Sequence, residues 1–458
     1  MWLMSTSRRR KRSYHHGDLR AATLHAAAEL LEKKGPDAVV LREVARLAGV
    51  SHNAPYRHFP SREALLAALA AEGRDLPGLP RFDLVAGTGD DAGYYAAARE
   101  FMAAWGRVPV AGLALLALGL ALVAVAVVRL WHAPARRAWL VPAGATAVSL
   151  AVLVAVLQME PSGAPVFGWS LVWAAPMLPY LALGLPLDYE IAFAFGFPLS
   201  LAANVVALVA TAYAGWYATG RRVVGLGAAA ALAIWPLTTA LVAGESAWEN
   251  GTWLVDTGLA LYTEPLATAL VATAAALLLA PANGVRVAAA GVLFSLATLV
   301  KLSNALAGAL VLVLIALYRA PREAALFLAG CLTFAPVALA YWPLSYYVRE
   351  EDRPENYPDT LFSLGYAADS WADSLLFSPR TLIVLLPLAV VGAVRFPRGY
   401  ALWLLLALAL VNPLFYTFYE PTAVHPRFLF ASLPPFFVLW AVGLRETVAF
   451  LRGRVRSP

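Results

Sequence analysis

The polar residues near the N-terminus that could carry chemistry lie on one short predicted helix, His52-Asn53-Ala54-Pro55-Tyr56-Arg57-His58-Phe59. Its side chains combine hydrogen-bond donors and acceptors that suit base edges and phosphates. The helix follows a turn at Gly49, which can adopt the left-handed conformation, and Ser51, which is a good N-cap. This arrangement indicates a helix-turn-helix whose second helix enters the major groove.

Two preceding helices are predicted to position this segment. Apolar residues recur at helical spacing from Leu19 to Lys34, which predicts an amphipathic helix. A second helix over 41–48 is expected to bury Val44, Ala45 and Leu47 and to turn its charged residues outward. The three helices together would make a small bundle with little core of its own.

The sequence LRAATLHAAAELLEKKGPDAVVLREVARLAGVSHNAPYRHFPSREALLAALAAEG, residues 19–73, resembles the N-terminal DNA-binding domain of TetR-family regulators. The match has no gap and includes the signature AGVS…YRHFPSREALL. The resemblance implies a three-helix DNA-binding head over 14–75 that needs no cofactor. It also implies DNA contacts from residues on or beside the recognition helix and at nearby helix starts: Arg42, Ser51, His52, Asn53, Tyr56, Arg57, His58 and Arg62.

The soluble ligand-binding and dimerisation domain of TetR regulators has no counterpart after this head. Residues 74–107 are first rich in Pro and Gly and then helical in pattern, and an uncharged segment follows over 108–128. That segment is long enough at helical rise to cross a bilayer. Any homodimer is therefore expected to form through the membrane part.

The composition is that of a polytopic membrane protein. Of the 458 residues, 60% are hydrophobic and 14% are charged, and the mean hydropathy is +0.66. The one cysteine, Cys331, lies in an apolar run, and no spacing of metal ligands emerges, so no metal site is expected. The predicted domains are a basic arm at 1–13, the head at 14–75, a linker with a juxtamembrane helix at 76–107, a membrane domain at 108–445 and a basic cytoplasmic tail at 446–458.

We predict an all-α fold in which the head precedes a membrane bundle of about twelve spans. The candidate spans are 108–128, 138–157, 165–186, 191–217, 223–243, 254–280, 285–300, 303–318, 324–345, 381–394, 400–419 and 428–444. If they alternate, most loop arginines share one side, which the positive-inside rule makes cytoplasmic. The head would then be cytoplasmic as well, where DNA is.

One loop does not fit this topology. Arg129, Arg136 and Arg137 would lie outside if all twelve spans alternate. Placing them inside requires an odd number of crossings between residues 158 and 221 and leaves the head outside. We expect the twelve-span topology, because a DNA-binding head has no use outside the cell.

With twelve alternating spans, polar groups converge on the external face: Asp188, Glu190, Glu245, Glu249, Asp256, Glu264, Lys301, Asn304, His425 and Arg427. Ionisable groups at membrane depth are costly and are therefore functional candidates. Asp188 and Glu190 could supply a general base or a metal ligand, or they could cap a helix. Glu264, which precedes a proline, could be a helix-end carboxylate.

Three pieces beyond residue 223, GLALYTEPLATAL, AGVLFSLATLVKLSNALAGALVLV and HPRFLFASLPPFFVLWAVGL, are similar to GT-C membrane glycosyltransferases. The segment with Asp90 and Asp91 is similar to the first external loop of that family, although no span precedes it here. The resemblance implies a polyprenyl-phosphate sugar donor, with or without a divalent cation. It implies Arg427 and Lys301 as lipid-phosphate ligands and, as alternative catalytic acids, Asp188, Glu190, Asp90 and Asp91.

Two functions follow as hypotheses. In the first, the chain is a membrane-tethered TetR-type regulator with DNA and membrane lipids as partners. In the second, it is a glycosyltransferase that moves a sugar from a lipid-linked donor to an external acceptor, and the head is a passenger acquired by gene fusion. A transporter is a weaker hypothesis than these two, because the sequence shows no pair of helices interrupted by Gly or Pro at corresponding positions of two halves.

Overall fold

The computed structural model describes residues 19–34, 39–48, 50, 65, 90–130, 138–159, 167–185, 189–243, 263–345, 362–367, 379–419 and 426–455. These residues are nearly all helical, and the β-structure among them is an isolated bridge between Phe362 and Tyr419. The chain divides into two compact units, residues 1–89 and 90–458.

The first unit contains helices α1 (Leu19–Lys34) and α2 (Leu41–Leu47), close to the predicted bounds. One expected core position was wrong, since Leu47 is 39% exposed. Leu41 is buried in its place, because it lies three residues before Val44 and shares that helix face.

The second unit contains fourteen helices in its described residues: α3 (Asp90–Trp105), α4 (Val110–Leu130), α5 (Leu140–Val156), α6 (Gly168–Ala182), α7 (Tyr189–Thr219), α8 (Arg222–Ala243), α9 (Thr263–Leu279), α10 (Gly284–Val300), α11 (Asn304–Tyr318), α12 (Pro321–Cys331), α13 (Ala335–Tyr341), α14 (Pro379–Arg395), α15 (Tyr400–Tyr416) and α16 (Leu433–Val455). Two 3-10 helices, Trp342–Leu344 and Pro426–Ser432, adjoin α13 and α16.

Each of the twelve predicted apolar segments contains a described helix, but few of these helices are long. Among the described residues, three helices are long and apolar enough to cross a membrane: Ala194–Thr219, Pro321–Leu344 and Phe428–Arg452. A fourth span results if Tyr95–Trp105 and Val110–Ala126, which are bent by 113° from each other, count as one. Several others have 15 to 17 residues, which is roughly 25 Å at helical rise against a hydrocarbon core of about 30 Å. The bundle of about twelve spans is therefore not confirmed.

The ends of the helices in the second unit fall into two groups. The start of α9, the junction of α10 with α11, and the end of α15 meet where Lys301 bonds Glu264 and Tyr416 bonds Ser303. We call this the Lys301 end. At the opposite end, which we call the arginine end, Arg319 bonds the carbonyl oxygen of Leu278, and its guanidinium lies 4.3 Å from the centre of the Tyr400 ring.

Helices α4 and α5 form a hairpin that runs between these two ends. Val108 and Val156 pack in one cluster with Leu299, next to Lys301. At the tip of the hairpin, Ala126 and Ala138 pack in another cluster with Val285, at the start of α10. The tip of this hairpin therefore lies at the arginine end.

Helix α6 does not carry the chain to the other end, contrary to the span predicted over 165–186. A Cβ added at Gly168 would lie 2.5 Å from the amide nitrogen of Val300, so α6 begins at the Lys301 end. Further along α6, the indole Nε1 of Trp173 donates to the carbonyl oxygen of Ala192 over 2.7 Å, so α7 begins at the same end. Two internal prolines and a length of 15 residues make α6 a poor span.

The chain then crosses once along α7. Ala203 and Ala207 pack with Ala269, and further along Ala214 packs in a cluster with Ala276, so α7 and α9 run in the same direction. The chain thus passes from the Lys301 end to the arginine end a single time between residues 158 and 221. The predicted alternation of all twelve segments fails at this point.

Candidate functional site

The described part of the head places one predicted DNA-contact residue. Arg42 is exposed on α2, whose buried face packs with α1 through Leu24, Ala27 and Val44. The other predicted contacts, Ser51 to His58 and Arg62, lie outside the described residues. On the surface of α1, a hydrogen bond from Lys33 lowers the pKa of the Glu29 carboxyl below its ordinary value.

A buried ion pair is the main polar feature of the Lys301 end. The Nζ of Lys301 donates to Oε1 of Glu264 over 2.7 Å, and the two side chains are 14% and 4% exposed. Glu264 lies in the first turn of α9, where a carboxylate is favoured by the helix dipole. Lys301 is extended and ends α10, so a helix start and a helix break bring the two charges together.

Aromatic rings cover the lysine of this pair. The Nζ of Lys301 lies 3.7 Å from the centre of the Phe428 ring and 5.6 Å from that of Tyr416. The hydroxyl of Tyr416 is 3.3 Å from Oγ of Ser303, which ties α15 to the junction. Both rings stabilise the ammonium group of Lys301, which is shielded from water.

Asn304 fixes the break between α10 and α11. Its Nδ2 donates to the carbonyl oxygens of Ala297 and Lys301 over 3.1 and 3.2 Å. Among the described residues its own Oδ1 has no hydrogen-bond partner, although the side chain is 1% exposed. Asn412 on α15 is 2% exposed, and its Oδ1 also has no hydrogen-bond partner among the described residues. A buried acceptor without a donor is costly, which favours a polar ligand or water nearby.

The remaining sequence-predicted residues are only partly described. Asp90 and Asp91 begin α3, Glu190 is in the first turn of α7, and Arg427 lies in the 3-10 helix next to Phe428; their side chains lie outside the described residues. Asp188 lies outside the described residues altogether. Helices α3 and α7 both begin near α6, so the backbones of Asp90, Glu190, Lys301 and Arg427 belong to the same end of the second unit.

Helix α3 lies against α6 at this end. The rings of Phe101 and Phe167 are 5.3 Å apart, and those of Tyr95 and Trp173 are 5.9 Å apart. The apolar segment that begins α4 is bent by 113° from α3. Helix α3 therefore runs across the end of the bundle rather than along it.

Sequence reasoning found Lys301 and Glu264 separately but missed their pairing and their aromatic cover. The two residues are 37 positions apart, and Tyr416 and Phe428 come more than a hundred positions after Lys301. The available signal was the pair of charges on otherwise apolar segments, because each needs a partner in such surroundings. Among the described residues, no three His, Cys, Asp or Glu side chains form a cluster that could hold a metal ion.

Replacement of Lys301 by Met is expected to destabilise the purified protein by about 3–5 kcal/mol, because Glu264 would be left as an uncompensated buried charge. Thermal unfolding in detergent should show the loss, and the double variant Lys301→Met with Glu264→Gln should recover part of it. A matched control is Arg445→Met, which breaks a half-exposed pair with Glu446 and should cost no more than about 1 kcal/mol. Equal effects of the two single variants would contradict this description of the pair.

Comparison with known proteins gives one match. Residues 24–69 match the family model of bacterial regulatory proteins of the tetR family. The matched segment covers α1 from Leu24 onward, α2 and the predicted recognition helix, but it leaves the whole second unit unmatched. No curated protein and no solved structure matches the chain. The N-terminal unit of this protein therefore carries a TetR-type helix-turn-helix DNA-binding domain.

Proposed function

We propose that this protein is a membrane-anchored DNA-binding protein, in which the head binds a DNA site and the second unit anchors it. The match of residues 24–69 to the tetR family carries the DNA-binding part. The three long apolar helices support the anchor. The sequence adds donors for base edges and phosphates at Ser51, Asn53 and Arg57.

Binding should be measured with the full chain in detergent, on DNA selected from a random pool. Arg57→Ala is expected to weaken specific binding by about 1–3 kcal/mol, and Arg62→Ala to lower the salt slope by about 1, as for a lost phosphate contact. His25→Ala is the control, because His25 is exposed on α1 outside the recognition helix. Absence of any sequence preference in the unaltered chain at physiological salt would contradict the proposal.

A second candidate function is transfer of a sugar from a polyprenyl-phosphate donor. The Lys301 end supports this candidate. The starts of α3 and α7, which carry acidic residues, lie there together with the Lys301–Glu264 pair. In this proposal Arg427 binds the lipid phosphate. Lys301 helps to position Arg427, because its ammonium group contacts the ring of Phe428, the next residue. Asp188, Glu190, Asp90 or Asp91 supplies the general base or holds a divalent cation. Asn304 and Asn412 offer buried acceptors for hydroxyl groups.

Product formation in membranes supplied with a polyprenyl-phosphate sugar tests this candidate. Arg427→Ala and the acid-to-amide variant of the catalytic residue should each lower the yield by about a hundredfold or more at unchanged protein level. Glu446→Gln, in the half-exposed pair on α16, is the control and should retain full yield. Unchanged product in the Asn or Gln variants of all four acids would rule the candidate out.

The two candidates each place a demand on orientation. A tethered regulator needs its head in the cytoplasm. A transferase with an external acceptor needs the Lys301 end outside. The orientation of the second unit therefore tests the second candidate directly.

A further inference from the structure

The arginines of the second unit are concentrated where its helices end or begin at the arginine end. Arg319 and Tyr400 meet there, Arg286 bonds the carbonyl oxygen of Pro281, and Arg222 lies 4.8 Å from the centre of the Trp216 ring. The sequence segments joined to these helix termini contain fourteen arginines and only two acidic residues: 129–137, 221–222, 286, 319–323, 395–398 and 445–456.

The segments joined to the opposite end have the reverse charge. They contain fourteen acidic residues against four arginines and one lysine: 106–109, 158–167, 183–190, 244–262, 301–303, 345–378 and 420–427. The described helices assign these segments to the Lys301 end, through Gly168 beside Val300, Glu264 beside Lys301, and Ser363 bonded to Phe418. The two ends of the second unit therefore differ strongly in the charge of their connecting segments.

The hairpin of α4 and α5 removes the exception found in the sequence. Helix α4 ends at Leu130 and Ala138 precedes α5 at the arginine end, so the sequence segment with Arg129, Arg136 and Arg137 connects two helix termini of that end. This placement agrees with the course of the chain between residues 158 and 221, because the chain crosses the bundle there once, which is an odd number of times. All the short basic loops then share one side of the bundle.

We propose that the arginine end is the cytoplasmic surface of this protein, seated among anionic lipid headgroups, and that the Lys301 end faces the opposite side of the membrane. Short loops rich in Arg and Lys are retained on the cytoplasmic side, and the anionic leaflet attracts them. The proposal rests on the membrane anchoring proposed above but on neither candidate activity.

The proposal also fixes the side from which the chain enters the bundle. Helix α3 begins at Asp90 and lies along the Lys301 end, and residues 1–89 contain no apolar segment long enough to cross a bilayer. Helix α3 and the start of α4 are thus placed on the non-cytoplasmic side. This orientation suits an external acceptor for the second candidate.

Single-cysteine labelling in intact cells tests the orientation. Cys331 is first replaced by Ala, and cysteines are then introduced one at a time as Leu364→Cys and Ala320→Cys. Leu364 is 83% exposed next to Ser363 at the Lys301 end, and Ala320 is exposed beside Arg319 at the arginine end. A membrane-impermeant maleimide should label Leu364→Cys at least tenfold more than Ala320→Cys before the cells are permeabilised, and both equally afterwards.

Labelling of Ala320→Cys in intact cells, or absence of labelling at Leu364→Cys that appears only on permeabilisation, would overturn the proposal. A second pair, Ala103→Cys on α3 and Pro397→Cys before Arg398, repeats the test at exposed positions on other elements. Loss of DNA binding or of sugar transfer in any variant leaves this readout unchanged, so its failure is distinguishable from failure of either proposed activity.

Discussion

The cost of a charge in surroundings of low dielectric is the constraint on which the second unit depends. An ionised side chain away from water must be paired or must reach the surface of the membrane. Glu264 and Lys301 meet the first condition at 2.7 Å, and in the proposed orientation the arginines of the opposite end meet the second. This division gives the bundle a direction, because one end holds a buried ion pair and the other holds a concentration of arginines.

Local breaks in the helices place the buried pair. Lys301 follows α10 in an extended conformation, and the amide of Asn304 satisfies the carbonyl groups that the break releases. Phe428 then covers the lysine from a 3-10 helix, a geometry that a continuous α-helix from Pro426 would not supply. The amide oxygens of Asn304 and Asn412 are buried without a donor among the described residues.

Local features of the fold could be predicted from the sequence, and long-range ones could not. The bounds of α1 and the apolar segments follow from periodicity and hydropathy, which are properties of neighbouring residues. The course of α6 depends on Gly168 packing against Val300, and no local pattern encodes such a contact. For the same reason Lys301 and Glu264 were recognised as separate candidates, but their pairing was not predicted. The predicted alternation of the twelve spans depended on counting α6 as a full crossing.

The orientation of the second unit relative to the membrane is the central claim, because it decides whether the Lys301 end is open to an external acceptor. Fusion of Pro458 to alkaline phosphatase and, separately, to green fluorescent protein measures it in living bacterial cells, since α16 ends at the arginine end. The account predicts a bright fluorescent protein and an inactive phosphatase, as expected for a C-terminus in the cytoplasm. An active phosphatase with a dark fluorescent protein would contradict the account.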